Sequence, residues 1–290
     1  MTSVTQDELS AYMARHTDVV DAALEAFFPP DAAYLGRLGE MMRYALFPGG
    51  KRFRPILVIA AAEALGVPAA RVLPTACAVE AIHGFSLVHD DLPSMDNDMV
   101  RRGKPTVHVK FGEAEALLVG DALSIYAFKM AAANGRQPGV DPAVVLQVIE
   151  ELADASGYPG MVGGQIVDIR LMKEKQVSGE ALLEVHRHKT GALIRGCVRA
   201  GAMLAGATLD QLRALTCYGE NIGLVFQIID DVLDAQEKAE SVSFPAVFGL
   251  ERSQRMAQEA TMEAVAALES FDEKAAPLRK LAMYLLERDK

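Results

Sequence analysis

The chain has 290 residues, 51% of them hydrophobic, and a formal net charge of −10. That length and apolar content can bury a sizeable core, as one large helical domain or two smaller ones. The acidic balance argues against a nucleic-acid partner, which needs a basic face.

The N-terminus, Met1-Thr2-Ser3-Val4-Thr5-Gln6-Asp7-Glu8, is polar and acidic and carries no secretory signal pattern. Helical patterns run from Asp7 to Phe27, Ala32 to Ala45, Arg54 to Leu65 and Ala69 to Asp91. They continue from Glu113 to Ala133, Pro142 to Ser156, Gly179 to Ala205, Thr208 to Asp234, Glu251 to Leu268 and Lys274 to Glu287. Turn residues break them at Pro29-Pro30, Pro48-Gly49-Gly50, Gly135 to Pro142 and Gly157 to Gly164. Asp141 before Pro142 and Ser178 before Gly179 are candidate N-caps. No strand alternation, linker or fixed repeat is present, so the expected fold class is all-α, a single domain over residues 1–290. Apolar stretches such as Pro55 to Leu65, which carries Glu63, are too short to span a bilayer, and no stable membrane anchor is expected. Cys77, Cys197 and Cys217 lie singly in apolar stretches and read as buried reduced thiols of a cytoplasmic protein.

Two acidic clusters, Asp90-Asp91-Leu92-Pro93-Ser94-Met95-Asp96 and Asp230-Asp231-Val232-Leu233-Asp234, each end an apolar run. So many carboxylates near packed helices need positive charge between them, and hard oxygen ligands suit Mg2+ and, through it, a phosphate substrate. Residues four apart lie about 40° from each other around a helix, so Asp230 and Asp234 share a face. Asp90 and Asp96 would lie about 120° apart on a straight helix. Pro93 should end or bulge that helix and bring Asp96 back towards Asp90.

Three basic segments supply phosphate donors: Gly49-Gly50-Lys51-Arg52-Phe53-Arg54-Pro55, Arg101-Arg102-Gly103-Lys104 and His186-Arg187-His188-Lys189-Thr190-Gly191. The spacing of a nucleotide P-loop is absent. Gly191 would weaken a helix unless a polar function uses the kink.

With GGKRFRP (49–55), HGFSLVHDDLPSMDND (83–98), RRGKPTVH (101–108), GGQIVD (163–168), HKTGAL (188–193) and FQIIDDVLD (226–234), the chain resembles the trans-isoprenyl diphosphate synthases nearly end to end. The resemblance implies an all-helical bundle around a deep central cavity, usually a homodimer, with the acidic motifs facing each other across its mouth. It implies condensation of isopentenyl diphosphate with an allylic diphosphate, dimethylallyl or geranyl. Asp90, Asp91, Asp96, Asp230, Asp231 and Asp234 are then metal ligands. They would hold about three Mg2+, with Mn2+ as a substitute, acting as Lewis acids on the leaving diphosphate.

By the same resemblance Arg101 and Lys189 hold the allylic diphosphate, while Thr190 and Gln227 face the nascent cation. Lys51, Arg54, His83 and Arg102 hold isopentenyl diphosphate, and Gln165 and Asp168 support the cavity wall. Phe85 and Ser86 sit at the product-length positions. An aromatic side chain five residues before Asp90 floors the cavity and favours a C15 product, farnesyl diphosphate. Geranyl or geranylgeranyl diphosphate is the alternative.

The chain departs from the family pattern at Met99, where an Asp is frequent, and after Asp234. There a longer lysine-bearing loop is usual, whereas this segment has Lys238 alone and Ser241 where a lysine is expected. That keeps a low-activity or regulatory partner subunit as a rival. A terpene cyclase would lack the FRP and RR segments. His89-Asp90 raises a metal phosphohydrolase, but its His ligand set is missing. The tail, Glu287-Arg288-Asp289-Lys290, is of a kind that can fold over the isopentenyl site.

Overall fold

The computed structural model describes residues 3–28, 35–47, 50–174, 177–237 and 242–288. The breaks expected at Pro29-Pro30 and Pro48-Gly49, the helix start at Ala32, Lys238, Ser241 and the Asp289-Lys290 tail lie outside these residues. The fold is all-α. Among the described residues the strands are the two-residue pair Val100–Arg101 (β1) and Lys104–Pro105 (β2), joined antiparallel.

The chain divides into two compact units, Met1–Ile56 with Ala70–Val145, and Leu57–Ala69 with Leu146–Lys290. The first contains α1 (Ser3–Phe27), α2 (Leu38–Leu46), the start of α3 (Phe53–Ala64), α4 (Ala69–Asp90), α5 (Val107–Phe111) and α6 (Glu113–Ala132). Its core is aliphatic, with Val20, Leu24, Leu46, Ile82, Leu123 and Met130 almost wholly buried. A polar crosslink deep in it is Asn134, which accepts from the backbone N–H and hydroxyl of Thr75 at 2.9 and 2.8 Å. Pro74 lies inside α4, past its first turn, and so removes a helical hydrogen bond there.

The second unit contains α7 (Pro142–Ser156), α8 (Met161–Leu171), α9 (Gly179–His186), α10 (Ala192–Leu204), α11 (Leu209–Glu237), α12 (Phe244–Phe248), α13 (Leu250–Ala266) and α14 (Ala276–Glu287). Helix α11 packs against α10, α13 and α14. The fully buried Tyr218 on α11 donates to Leu278 O of α14 at 2.7 Å, so its hydroxyl is satisfied where water is excluded.

Both expected N-caps form. Asp141 Oδ1 accepts from Ala143 N at 2.9 Å, and Ser178 Oγ from Ala181 N at 3.1 Å. The helix expected over Gly179 to Ala205 is interrupted by a π-helical turn at Arg187–Gly191. Helix α8 is hidden in the sequence by the glycines of residues 157–164, which read as a break. Helices α5 and α12 and the β1–β2 hairpin are too short for periodicity to show. Cys77 and Cys197 are buried, but Cys217 is exposed. Arg213, Glu220 and Asn221 flank Cys217, and the position falls on the outer side of α11. By length and hydropathy alone, α4 and the run of residues 113–136 are long and apolar enough to cross a membrane. This goes beyond what the shorter apolar stretches indicate. Helix α4 nevertheless carries the buried, ion-paired Glu80, as a core helix can.

Candidate active site

In the first unit α4 ends at Asp90, three residues before Pro93. The chain then folds back tightly: Met95 N donates to Leu92 O and Asp96 N to Asp90 O, both at 2.9 Å, and Asn97 N to Leu92 O at 3.1 Å. Asn97 takes a left-handed backbone (φ 54°) to complete the turn. Asp96 therefore returns to the backbone of Asp90, as expected from Pro93. Asp91 is buried at 3% exposure, whereas Asp96 is exposed.

The hairpin that follows aims two arginines differently. Arg102 and Gly103 both have positive φ (51° and 74°), the signature of a two-residue hairpin turn. Arg101, on β1, donates from Nε to Asp91 Oδ1 at 2.7 Å and from Nη2 to Asp98 Oδ2 at 3.0 Å. Burial opposes the charge on Arg101, but the hydrogen bond to Asp91 and the charges of Asp91, Asp98 and Asp90 together raise its pKa. Arg102 makes no hydrogen bond or ion pair among the described residues. Desolvation lowers its pKa, the Glu80 charge works against that, and Arg52, Arg101 and Arg54 add to the lowering.

Around Arg102 the other expected cation-site residues gather. The Gly50 backbone lies against its guanidinium: a Cβ on Gly50 would sit 2.8 Å from Arg102 Nη2. That places Lys51 beside it in the chain, with an exposed side chain. Arg54 Nη1 lies 3.4 Å from His83 Nε2. Burial, with the charges of Arg54, Arg102, Arg101 and Arg52, holds the His83 pKa well below 6.5, so its ring is neutral. Phe85 stacks edge-on against His89 with ring centres 6.0 Å apart, and Ser86 Oγ donates back to His83 O at 2.9 Å.

In the second unit the π-helical turn does what the Gly191 kink foreshadows. It turns Lys189 onto α8, where Nζ meets Asp168 Oδ2 at 2.5 Å, and Thr190 onto α11, where Oγ1 donates to Gln227 Oε1 at 2.8 Å. Gly164 of α8 permits the approach, because a Cβ there would collide with the Lys189 backbone. Gln227 in turn donates from Nε2 to Asp231 Oδ1 at 2.7 Å, and Phe244 N donates to Asp231 Oδ2 at 2.8 Å. His186 stacks on Phe244 with centres 5.1 Å apart; burial pushes its pKa down to about 4. Asp230 is held by Arg288, which also donates to Phe226 O at 3.0 Å and lies over the Phe226 ring. Arg288 thus reaches the second acidic motif. Asp234 is exposed.

Among the described residues no three His, Cys, Asp or Glu side chains are arranged to hold a metal ion as they stand. The donor set still fits a hard divalent cation, since both motifs offer carboxylate oxygens only. Two of those carboxylates, Asp91 and Asp230, are each paired with an arginine. Sequence patterns do not single out Asp98, Arg288 or the buried pair Arg52–Glu80. Glu80 leaves a signal, being the one acidic residue in the long apolar run before His83.

The description "Polyprenyl synthetase" belongs to the family model that matches residues 36–274. A dimethylallyltranstransferase of Fischerella ambigua (strain UTEX 1903) is 42% identical over 293 residues, 97% of this chain and 84% of that protein. A geranylgeranyl diphosphate synthase of Cyanophora paradoxa is 40% identical, with 98% of each chain covered. The apo crystal structure of an FPP/GFPP synthase from Zymomonas mobilis superposes with a TM-score of 0.90 at 39% identity, covering 96% of this chain and 99% of that one. The geranyltransferase structure from Legionella pneumophila gives 0.87 at 35% identity, covering 99% and 98%. Sequence, fold and motif order agree, and the chain belongs to the polyprenyl synthetase family of trans-prenyltransferases.

Proposed function

We propose that the chain condenses isopentenyl diphosphate head-to-tail with dimethylallyl or geranyl diphosphate, and that residues 1–290 act as one synthase domain. The observation that carries this reading is the split between adjacent arginines. Arg101 is committed to the carboxylates Asp91 and Asp98, while Arg102, beside Gly50-Lys51 and near Arg54 and neutral His83, has no carboxylate of its own among the described residues. Closely spaced cations around an arginine with no ion pair of its own fit a diphosphate that must stay intact, and planar guanidinium groups bind its oxygens bidentately.

Asp90, Asp91 and Asp96 in one unit, and Asp230, Asp231 and Asp234 in the other, would hold Mg2+, or Mn2+ in its place. When bound, the metal neutralises the charge that develops on the allylic diphosphate as it leaves. The chain's own groups do the rest. Lys189 and Arg101 hold the allylic diphosphate while its C–O bond breaks and the electron pair departs with it. Thr190 Oγ1 and Gln227 Oε1 present oxygens to the allylic cation. The isopentenyl double bond supplies the electrons of the new C–C bond, and the released diphosphate takes the proton then lost. Neutral His83 binds and does not act as the base.

The proposed product is farnesyl diphosphate, supported by the half-buried Phe85 on α4 five residues before Asp90. We further propose a cytoplasmic homodimer. In its favour, Leu117, Leu118 and Ile125 of α6 are 49%, 59% and 73% exposed, apolar surface that a second copy could cover. The test is to incubate the purified protein with Mg2+, isopentenyl diphosphate and either allylic diphosphate, and to identify the products. Elongated prenyl diphosphate is expected. Cyclic hydrocarbon would indicate a cyclase, free phosphate a hydrolase, and no turnover a partner subunit.

A further inference from the structure

Arg52 stands between two residues assigned to the cation site, Lys51 and Arg54, yet its own side chain is buried within the first unit. It is 2% exposed, and each of its guanidinium nitrogens donates. Nε donates to Asp21 Oδ1 of α1 at 2.7 Å, Nη1 to Glu80 Oε1 of α4 at 2.5 Å, and Nη2 to Leu46 O at the end of α2 at 2.8 Å. Its guanidinium also lies over the Phe47 ring, 5.5 Å from the centre. One side chain therefore ties the Lys51–Arg54 segment to three helices.

The backbone of Arg52 is left-handed, with φ 48°. A residue with a Cβ adopts that conformation at a cost, and persists there only where its surroundings overdetermine it. A buried ion pair of this kind is also a poor way to gain stability, since apolar replacements of equal volume often do as well. The pair and the strain make sense together if they serve geometry. The left-handed residue turns the backbone between Lys51 and Arg54, and its three hydrogen bonds hold that turn. Glu80 serves a second cation as well: its charge acts on Arg102, which lies against Gly50 and carries the other strained arginine backbone of this unit. His83, three residues after Glu80 on α4, is one helical turn along the same face.

We infer that Arg52 and Glu80 form a buried positioning pair for the isopentenyl diphosphate site. Arg52 fixes the turn that presents Lys51 and Arg54, and Glu80 supplies the fixed negative charge that lets Arg52 and Arg102 remain close before substrate arrives. Neither residue touches substrate. The inference rests on Lys51, Arg54, His83 and Arg102 being that site.

The test is steady-state kinetics of the full chain with each substrate varied, for Glu80→Gln, Arg52→Lys and the contact variant Lys51→Ala. Glu80→Gln and Arg52→Lys should each raise the KM for isopentenyl diphosphate about tenfold, with kcat and the allylic KM within about twofold of wild type. Merely structural residues would lower the fraction of active enzyme without separating the two substrates. An unchanged isopentenyl KM in both variants, or equal rises for both substrates, would overturn the pair's role. If Lys51→Ala also left that KM unchanged, the site assignment itself would be wrong, whereas a rise with Lys51→Ala alone would reject only the positioning. Should Glu80→Gln fail to fold, Asp21→Asn removes the outer contact to Arg52 at a carboxylate 35% exposed, and the same selective KM rise is required of it.

Discussion

The two acidic motifs share residue type but not spacing, and they are held in opposite ways. The first lies at a helix end, and its partners are local: Asp91 is held by Arg101, ten residues on, and Asp96 is folded back to Asp90 by a proline-forced turn. The second lies on the unbroken α11, and beyond the neighbouring Gln227 its partners are brought in from other elements, one of them from far along the chain. Asp231 takes Gln227 and Phe244 N, Thr190 reaches it through Gln227, and Asp230 takes Arg288, 58 residues away. A motif built locally keeps its geometry as a unit. One assembled from distant segments depends on the tertiary structure and on whatever displaces those segments.

The strongest way to break the comparison is to remove one oxygen charge from the local motif. Asp90→Asn keeps the size but removes the charge of a proposed metal ligand, and should lower kcat about 10²- to 10³-fold with the melting temperature nearly unchanged. A loss of about tenfold or less would mean that the second motif carries the metal chemistry alone. Phe85→Ala probes the same helix at the position five residues before that motif. It should lengthen the product by at least one C5 unit, read by chromatography of the dephosphorylated alcohols; an unchanged chain length would remove Phe85 as the floor of the hydrocarbon site.

The same local and distant division decides what can be read from the amino-acid order. The helix end at Pro93, the return of Asp96 and the caps at Asp141 and Ser178 follow from neighbouring residues and are legible. The polar use of the Gly191 kink is foreseeable in kind, but not that a π-helical turn sends Lys189 to α8 and Thr190 to α11. Helix α8 escapes notice because Gly163 and Gly164 read as breakers, when Gly164 is needed for backbone to approach backbone at Lys189. Sequence groups Arg52 with its basic neighbours, because charge pattern alone does not tell which way a side chain points. Only the left-handed φ and the burial of Glu80 show that it faces inward. No local pattern places Arg288 on Asp230.

A milder perturbation tests the electrostatics of the local cluster. His83 has its pKa held well below 6.5 by burial and four arginines, so the folded chain resists a proton that the unfolded chain accepts. The sign follows: this contribution is fully present above pH 6.5 and is lost as the pH falls from there towards the folded-state pKa. Denaturant unfolding at about pH 7 and about pH 5 should show wild type losing up to about 1.4 kcal/mol per pH unit more than His83→Gln below that point. Equal slopes in the two proteins would mean that His83 charges freely in the folded state.

The smallest expected effect belongs to the distant motif. Arg288 holds Asp230 with a side chain that is 10% exposed, against an aspartate side chain 36% exposed. A pair open on one side to solvent is worth up to about 1 kcal/mol. A divalent cation taking Asp230 must first displace that arginine, and so binds more weakly by the same margin. Arg288→Ala should therefore lower the half-saturating Mn2+ concentration, measured by loss of the free-ion EPR signal, by about two- to fivefold. Asp91 differs in this respect. Its arginine is anchored by Asp98 as well, and Arg101→Ala would expose a buried carboxylate and loosen the hairpin. A rise in the Mn2+ requirement on losing Arg288 would reverse the interpretation, making the arginine a support that orients Asp230 for the metal instead of a competitor for it. The distant motif would then be as firmly preorganised as the local one.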